Sequence, residues 1–269
     1  MTTVAPTTPT TAAQLDPTFA DTPTSRCDTL TPGSIGYRNS SGHVADQYMA
    51  IGTSTEGRTI WAEHWGASTG PQVLVLGQVH GDECGPAFLV AAIRQRPPVD
   101  IGIWLVPTAN PDGLAAFHRH TALDIDPNRD GFDLATPEAR AVMHVTELVR
   151  PVLTVHTHSP YGWVGAYGGP LATKVATALS EAVGWGHAYN AGTVKNGTQA
   201  FLWEGQARVL PGAQSVLIEF PGISPDEAVD APDPTQVKES TVAVVQADAL
   251  AMRDALYAVV ANDAITPSL

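Results

Sequence analysis

Residues 73–85 read VLVLGQVHGDECG, an apolar run of strand length that gives way to small and polar residues. The next stretch, PAFLVAAIRQR at 86–96, has the composition and spacing of a helix. A short unbroken apolar run bounded by turn residues is typical of a strand that is buried on both faces. We therefore predict a buried strand, a polar loop that carries His80 and Glu83, and a helix.

The same pattern recurs along the chain. Three further apolar runs end in polar or turn residues, namely 101–107, 151–160 and 215–222. Helical patterns occupy 136–150, 171–183 and about 235–261, and alternating segments on either side of the turn STEG indicate an early hairpin. Strands that alternate with helices predict an α/β fold, which we expect to be a single-domain, mixed, mainly parallel twisted sheet with helices on both faces.

The bulk composition limits the possible partners. A formal net charge of −13 would repel a phosphate backbone, which argues against a nucleic-acid partner. Residues 1–25 are rich in Thr, Pro and Ala and predict a disordered tail, and residues 26–269 predict one domain. The N-terminus shows no signal-peptide pattern and no segment matches a membrane span, which favours a cytoplasmic location without excluding secretion.

Polar residues follow the ends of the predicted strands. They are His80, Asn110, His156 and Glu219. In parallel sheets, ligands bind beyond the carboxyl ends of the strands. His80 and Glu83 lie three residues apart, so their side chains can face one point. Zinc sites in hydrolases use three imidazole or carboxylate ligands and leave a position for water, and His156 or His158 can supply the third ligand.

The chain has two cysteines, Cys27 and Cys84. That number is too small for a cysteine-based zinc site or for a disulfide-stapled scaffold. We expect Cys84 to be a buried free thiol. A disulfide with Cys27 is the next alternative, and metal binding by Cys84 is the third.

Several motifs occur in a fixed order. They are HGDE at 80–83, NPDG at 110–113, Arg119, DPNR at 126–129, a strand-end histidine and Glu219. This series resembles the zinc metallocarboxypeptidase family, of the carboxypeptidase A-like kind. GTSTEGRTI at 52–60 and TPEARAV at 136–142 extend the likeness, and residues 219–228 are similar to the bacterial murein peptide amidases. The resemblance implies a carboxypeptidase-like catalytic domain over 26–269.

The resemblance also implies a ligand set. It places one Zn²⁺ per chain on His80, Glu83 and His156, with His156 rather than His158 at the family position. Ligand histidines usually donate their second ring N–H to a carboxylate or carbonyl, and Asp112 is a candidate partner. Zinc is favoured over cobalt or manganese by the ligand types and by the resemblance.

Two further residues resemble the family's reacting groups. Glu219 resembles the glutamate that accepts a proton from the attacking water and passes it to the leaving amine. Its neighbours Ile218 and Phe220 predict partial desolvation, which raises a carboxyl pKa toward the range of a general base. Arg119 resembles the arginine that polarises the scissile carbonyl and stabilises the oxyanion.

Asn128 and Arg129 resemble the pair that binds the terminal carboxylate of the substrate, a task suited to a planar guanidinium. Pro127 replaces the leucine that is usual in this motif, which indicates a reshaped loop. Gln199 occupies the position that sets side-chain preference, and Tyr189 is the candidate for the family's mobile tyrosine. Such a carboxylate clamp implies an exopeptidase.

We therefore expect a zinc-dependent peptidase that hydrolyses the amide bond to a C-terminal residue in a small peptide with a free carboxylate. The murein bond between γ-D-glutamate and diaminopimelate is the favoured substrate. A general L-peptide carboxypeptidase and an aspartoacylase-like N-acyl amino acid deacylase are the alternatives. A non-catalytic binding module is disfavoured, because neither a ligand nor the general base is missing.

Overall fold

A computed structural model of the chain describes residue 17 and residues 22–30, 41–189, 201–223 and 237–265. Most of the expected tail at 1–25 lies outside the described residues, as does Gln199. Among the described helices, none combines the length and the apolar character that a membrane span requires.

Eight strands form a single sheet in the described part of the chain. In chain order they are β1 Gln47–Thr53, β2 Thr59–Gly66, β3 Gln72–Leu76, β4 Gly102–Val106, β5 Leu153–His158, β6 Tyr161–Tyr167, β7 Gly186–Tyr189 and β8 Ser215–Pro221. The helices are α1 Cys27–Leu30, α2 Pro86–Gln95, α3 Pro111–Ala116, α4 Pro137–Val149, α5 Pro170–Val183, α6 Leu202–Val209 and α7 Val242–Ile265, with a 3-10 turn at Pro127–Arg129.

The sheet has a parallel centre and antiparallel flanks. Its strand order is β1-β2-β4-β3-β5-β8-β6-β7. Strands β4, β3, β5 and β8 run parallel to their neighbours within this group, whereas β1 and β2 on one side and β6 on the other pair in antiparallel fashion. The predicted α/β fold with a mixed sheet is confirmed. As a result, the carboxyl ends of β3, β5 and β8 meet at one edge.

Both faces of the sheet are buried. Side chains along a strand alternate between faces. Val73 and Val75 of β3 join a core with apolar residues of α2, α5 and α7, whereas Leu74 and Leu76 join a second core with those of α4 and α6. The unbroken apolar run at β3 is therefore the direct consequence of helices on both faces.

The structure adds elements that the sequence patterns did not predict. Strands β6 and β7 extend the sheet beyond β8, and α6 lies between β7 and β8 in the chain. The predicted hairpin is confirmed as β1 and β2, joined by a turn at 54–58. The helix that was expected at about 235–261 is α7.

Cys27 and Cys84 form a disulfide, with their Cα atoms 5.4 Å apart. The expectation of a free thiol at Cys84 is therefore wrong. Both residues are buried, in a small apolar cluster with Ala87 and Leu114. The bond joins the short helix α1 to the loop between β3 and α2, the same loop that carries His80 and Glu83.

Candidate metal centre

The HGDE loop is fixed by contacts to the NPDG motif. Gln78 Nε2 donates to the carbonyl oxygen of His80 at 2.7 Å. A Cβ atom placed on Gly81 would lie 2.0 Å from the carbonyl carbon of Gly113, so this close approach of two backbones requires glycine. Asn110 caps α3 by accepting from the Gly113 N–H at 2.9 Å. The two motifs therefore hold each other in place.

Three buried side chains converge at this edge of the sheet. His80 Nδ1 lies 2.6 Å from Glu83 Oε1, and His158 Nδ1 lies 3.0 Å from Glu83 Oε2. The two Nδ1 atoms are 3.2 Å apart. A tetrahedral zinc site with metal–nitrogen bonds of about 2.0–2.1 Å sets its ligand atoms about 3.3 Å apart. His80, Glu83 and His158 therefore have the donor types and the spacing of a His₂Glu metal site.

The structure groups His158, and not the expected His156, with His80 and Glu83. His156 lies two residues earlier on β5, about 6.6 Å further from the strand end. It lies in the core, where its Nε2 donates to Gln206 Oε1 at 2.8 Å and Gln206 Nε2 donates to Thr146 Oγ1 at 2.8 Å. Burial, and then the neighbouring His158, lower the pKa of His156 to about 3. His156 is thus a neutral core histidine that connects the sheet to α4 and α6.

Asp126 is the carboxylate partner of a candidate ligand. His80 Nε2 donates to Asp126 Oδ1 at 3.0 Å, which turns Nδ1 toward the cluster. Asp126 also accepts from Arg119 Nη2 at 3.0 Å and from the Asn128 N–H at 2.8 Å. The expected partner, Asp112, instead binds the turn between β1 and β2. In the DPNR motif, the sequence suggested functions for Asn128 and Arg129 but not the contact of Asp126 with His80.

Glu219 lies beside this cluster. It is the register partner of His158 in the neighbouring parallel strand, so both side chains emerge at the end of their strands. Its Oε2 atom is buried and has no hydrogen-bond partner among the described residues. Burial, and then the charge of Glu83, raise the pKa of Glu219 well above its ordinary value. The expected desolvation of Glu219 is confirmed.

The cluster has a distinctive electrostatic pattern. Burial alone would lower the pKa of His80, but the charges of Glu83 and Asp126 and the hydrogen bond to Asp126 together outweigh burial and raise that pKa to about 9. Burial would raise the pKa of Glu83, yet His80 and His158 hold it well below its ordinary value. Glu83 therefore stays ionised although it is buried. An ionised carboxylate between two imidazole nitrogens suits a divalent cation.

The predicted substrate-binding residues surround the cluster. Arg119 Nη1 lies 3.3 Å from Glu83 Oε1, and Asn128 Nδ2 lies 3.4 Å from His158 Nε2. The guanidinium of Arg129 lies over the ring of Phe201, 4.3 Å from its centroid. The structure thus brings Arg119, Asn128 and Arg129 to the same edge as the cluster, and Phe201 is an addition that the sequence did not indicate.

Tyr189 lies in an edge strand of the sheet, and aromatic residues lie beside Arg129. Tyr189 ends β7 and pairs with Ala166, and its side chain lies outside the described part. Trp203 is half-buried and stacks between Tyr167, at 4.4 Å between ring centroids, and Phe201, at 6.4 Å. An aromatic stack therefore continues from the guanidinium of Arg129.

No protein-family model and no curated protein matches the sequence. Among solved structures, a metallo-carboxypeptidase from Burkholderia cenocepacia superimposes with a TM-score of 0.60 at 17% identity, over 80% of this chain and 64% of that one. The chain has the metallo-carboxypeptidase fold. The same fold is found in a metallo-carboxypeptidase from Pseudomonas aeruginosa, with a TM-score of 0.57, 18% identity, and coverage of 80% of this chain and 64% of that one.

The metallo-carboxypeptidase fold also includes a shorter relative. The murein-tripeptide amidase MpaA from Escherichia coli O157 matches with a TM-score of 0.54 at 19% identity, over 71% of this chain and 89% of that one. The present chain thus spans less than two thirds of the two carboxypeptidases but most of the amidase. At these identities the comparisons establish the fold.

Proposed function

We propose that this chain is a zinc-dependent exopeptidase that hydrolyses the amide bond to the C-terminal residue of a small peptide. His80, Glu83 and His158 would hold the ion. The observation that carries the proposal is the convergence of two imidazole Nδ1 atoms on an ionised, buried carboxylate, with Glu219 one strand away. A bound Zn²⁺ would supply Lewis-acid polarisation of the scissile carbonyl and would lower the pKa of water.

The surrounding residues would keep the ligands in register. Asp126 fixes the tautomer of His80, so that Nδ1 rather than Nε2 faces the centre. The backbone pairing of β5 with β8 fixes the distance between His158 and Glu219. These contacts remove side-chain freedom before any ion or substrate arrives, which favours both metal affinity and catalysis.

Glu219 would act as the general base and then as the general acid. Its unpartnered Oε2 would accept a proton from the attacking water and later donate that proton to the leaving nitrogen. Burial and the charge of Glu83 raise its pKa, which strengthens it as a base. Arg119, held by Asp126 and Glu83, would stabilise the negative charge that develops on the carbonyl oxygen.

Asn128 and Arg129 would bind the terminal carboxylate of the substrate. The stacking of Arg129 on Phe201 supports this role, because it holds the plane of the guanidinium and lowers the entropy lost when a carboxylate binds. Gln199 and Tyr189 remain predictions for side-chain preference and for substrate closure. The partner class is thus a small peptide with a free carboxylate.

For the substrate we propose the murein bond between γ-D-glutamate and diaminopimelate. The similarity of residues 219–228 to murein peptide amidases supports this choice, as does the shared fold and compact length of the murein-tripeptide amidase MpaA. A general L-peptide carboxypeptidase is the second candidate, favoured by the fold neighbours from Burkholderia cenocepacia and Pseudomonas aeruginosa.

A paired hydrolysis assay tests the proposed activity. Purified, zinc-loaded protein is incubated with L-Ala-γ-D-Glu-diaminopimelate, with a panel of blocked L-dipeptides and with N-acetyl-aspartate, each with and without a chelator. Cleavage of the murein tripeptide alone, abolished by chelator, is the expected result. Cleavage of L-dipeptides instead identifies a general carboxypeptidase, and cleavage of N-acetyl-aspartate identifies a deacylase. Cleavage of none of them contradicts the proposal.

A matched pair of variants tests the ligand set. His158→Ala removes a proposed ligand, whereas His156→Gln changes the core histidine of the same strand face. We expect loss of tightly bound zinc in the first variant and retention of one equivalent in the second, measured by metal analysis after dialysis. Loss of zinc in His156→Gln alone would return the third-ligand role to His156.

The disulfide bears on location. Disulfides persist in oxidising compartments and are rare in the cytosol. The bridge between Cys27 and Cys84 therefore supports an oxidising compartment rather than the cytoplasmic location that the N-terminal composition favours. It also joins α1 covalently to the metal loop, which supports a catalytic domain that begins near residue 26, as the sequence predicts.

A further inference from the structure

A second group of metal-binding side chains lies outside the site described above. His118, His120 and Asp124 each offer one donor atom, and these three atoms lie within 4.8 Å of one another. His120 Nδ1 and Asp124 Oδ1 are 2.9 Å apart, and the rings of His118 and His120 meet edge to face at 5.3 Å between centroids. None of these three residues has a role in the proposed hydrolysis.

The group lies on the outer side of a segment whose inner side faces the metal centre. Arg119 points inward and is largely buried by its contacts with Glu83 and Asp126. The histidines on either side of Arg119 are open to solvent, with 34% of the His120 side chain exposed. This short segment thus directs Arg119 toward the buried metal centre and directs the two imidazoles toward solvent.

The backbone beneath the histidines is fixed. The His118 N–H donates to the carbonyl oxygen of Gly113 at 3.0 Å. The buried side-chain amide of Asn110 donates to the carbonyl oxygen of His120 at 3.1 Å and to that of Arg119 at 3.5 Å. The two imidazoles therefore start from a backbone that is tied to the NPDG motif. A metal ion would not have to order this segment, which lowers the entropic cost of binding.

The backbone beneath Asp124 is also fixed. The Thr121 N–H donates to the carbonyl oxygen of Ile125 at 3.0 Å, and the Asp124 N–H donates to Thr121 O at 2.9 Å. Asp124 itself has a φ of 57°, in the left-handed region that aspartate tolerates. This turn directs the carboxylate back toward His120.

We propose that His118, His120 and Asp124 form a second divalent metal site, for a borderline transition metal such as Zn²⁺, Co²⁺, Ni²⁺ or Cu²⁺. Two imidazole nitrogens and one carboxylate oxygen match these ions rather than Mg²⁺ or Ca²⁺, which prefer oxygen alone. Water completes the coordination, because the site is open. A bound ion would link His118, His120 and Asp124 and would thereby restrict the motion of the backbone at Arg119.

Equilibrium dialysis of the full chain against Zn²⁺ tests the site. Wild-type protein should bind two equivalents, a tight one and a weaker one. The double variant His118→Ala/His120→Ala should bind only the tight equivalent. His144→Ala, which removes an exposed histidine on α4, is the matched control and should still bind two. A single equivalent in wild-type protein, or two equivalents in the double variant, would overturn the proposal.

Two measurements keep this test separate from the proposed hydrolysis. In Glu83→Gln, which removes a ligand of the buried cluster, the weaker equivalent should persist, and its loss would show that one site accounts for both. In unmodified protein, Zn²⁺ beyond one equivalent should slow amide hydrogen exchange at least threefold within residues 118–124. Unchanged exchange there would contradict the site even if a variant failed to fold.

Discussion

Among the residues that the structure describes, two of the groups of buried charge differ in how their polar atoms are paired. On β2, Glu63 accepts from Trp65 Nε1 and from Arg94 Nε, each at 2.9 Å, and Arg94 Nη2 forms an ion pair with the same carboxylate. Glu63 and Arg94 are almost fully buried. This group is closed, because its carboxylate oxygens face donors of the protein itself.

The group at the ends of β5 and β8 is open. His80 and His158 direct Nδ1 atoms toward Glu83, and Glu219 keeps a buried oxygen without a partner among the described residues. Buried polar groups are normally satisfied, so a buried carboxylate oxygen of Glu219 without a described partner, beside two imidazoles that converge on Glu83, is typical of a ligand site. Thus the arrangement of the partners distinguishes the candidate site from a structural ion pair, since both groups are buried.

The largest expected effect comes from Glu219→Gln. Loss of the general base should reduce kcat by about 10²–10⁴-fold. The unfolding free energy should stay the same or rise, because burial disfavours the ionised carboxylate and its Oε2 has no hydrogen-bond partner among the described residues. Steady-state kinetics and urea denaturation check both parts, with Glu181→Gln as an exposed control. Full activity in Glu219→Gln would remove the assigned base.

In the closed group the opposite outcome is expected. Arg94→Met leaves the buried Glu63 without its guanidinium partner, which should cost about 3–5 kcal/mol of stability. Zinc content and kcat per folded molecule should stay unchanged, because neither residue faces the metal centre. Urea denaturation gives the first quantity, and kinetics on the folded fraction gives the second. A cost below about 1 kcal/mol would argue that the pair is not desolvated as the structure indicates.

A smaller effect is expected for Asp126→Asn. The neutral amide oxygen accepts a weaker hydrogen bond from His80 Nε2 than the carboxylate does. Zinc affinity should therefore fall by about 10–100-fold. Asp112→Asn is the matched control, since Asp112 binds the β1–β2 turn and should leave zinc affinity unaltered. Competition with a chromophoric chelator measures both affinities. Equal losses in the two variants would point to a general disturbance of the fold.

The smallest effect concerns Glu138, a buried carboxylate outside both groups, in the first turn of α4. Burial, and to a lesser extent Asp112, raise its pKa from 4.5 to about 7. Between pH 4.5 and about 7 the folded state binds more protons than the unfolded state. The free energy of unfolding therefore falls as the pH rises through this range, and the full loss of stability is reached above it. Glu138→Gln should therefore stabilise the protein by roughly 1–2 kcal/mol at pH 8 and have no effect near pH 4. Thermal unfolding across that range checks the sign.

The sequence patterns were sufficient to predict the fold, and most of the residues that they proposed for the site lie at one edge of the sheet. Apolar runs located β3, β4, β5 and β8, and the end-of-strand rule located His80 and Glu219. Strand β6 was missed because YGWVGAY contains two glycines and has no continuous apolar run. The Glu63–Arg94 pair was also missed, since its partners lie on different elements and only the packing of α2 against the sheet brings them together.

The choice between His156 and His158 as the third candidate ligand could not be made from the sequence pattern. His156 and His158 are two residues apart, so they lie on the same face of β5 and alternation cannot distinguish them. The register does, because His158 pairs with Glu219 at the strand end, whereas His156 pairs with Leu217 inside the sheet. The end-of-strand rule left both histidines open as the third ligand, and the resemblance placed the ligand at His156.

The disulfide has a topological consequence. Cys27 and Cys84 are 57 residues apart, so the bond closes a covalent ring that contains β1, β2 and β3 and ends next to Glu83. A single backbone cut within that ring leaves both fragments of the polypeptide attached to each other. The nicked chain would migrate as one species in an electrophoresis gel until a reductant separates it into two.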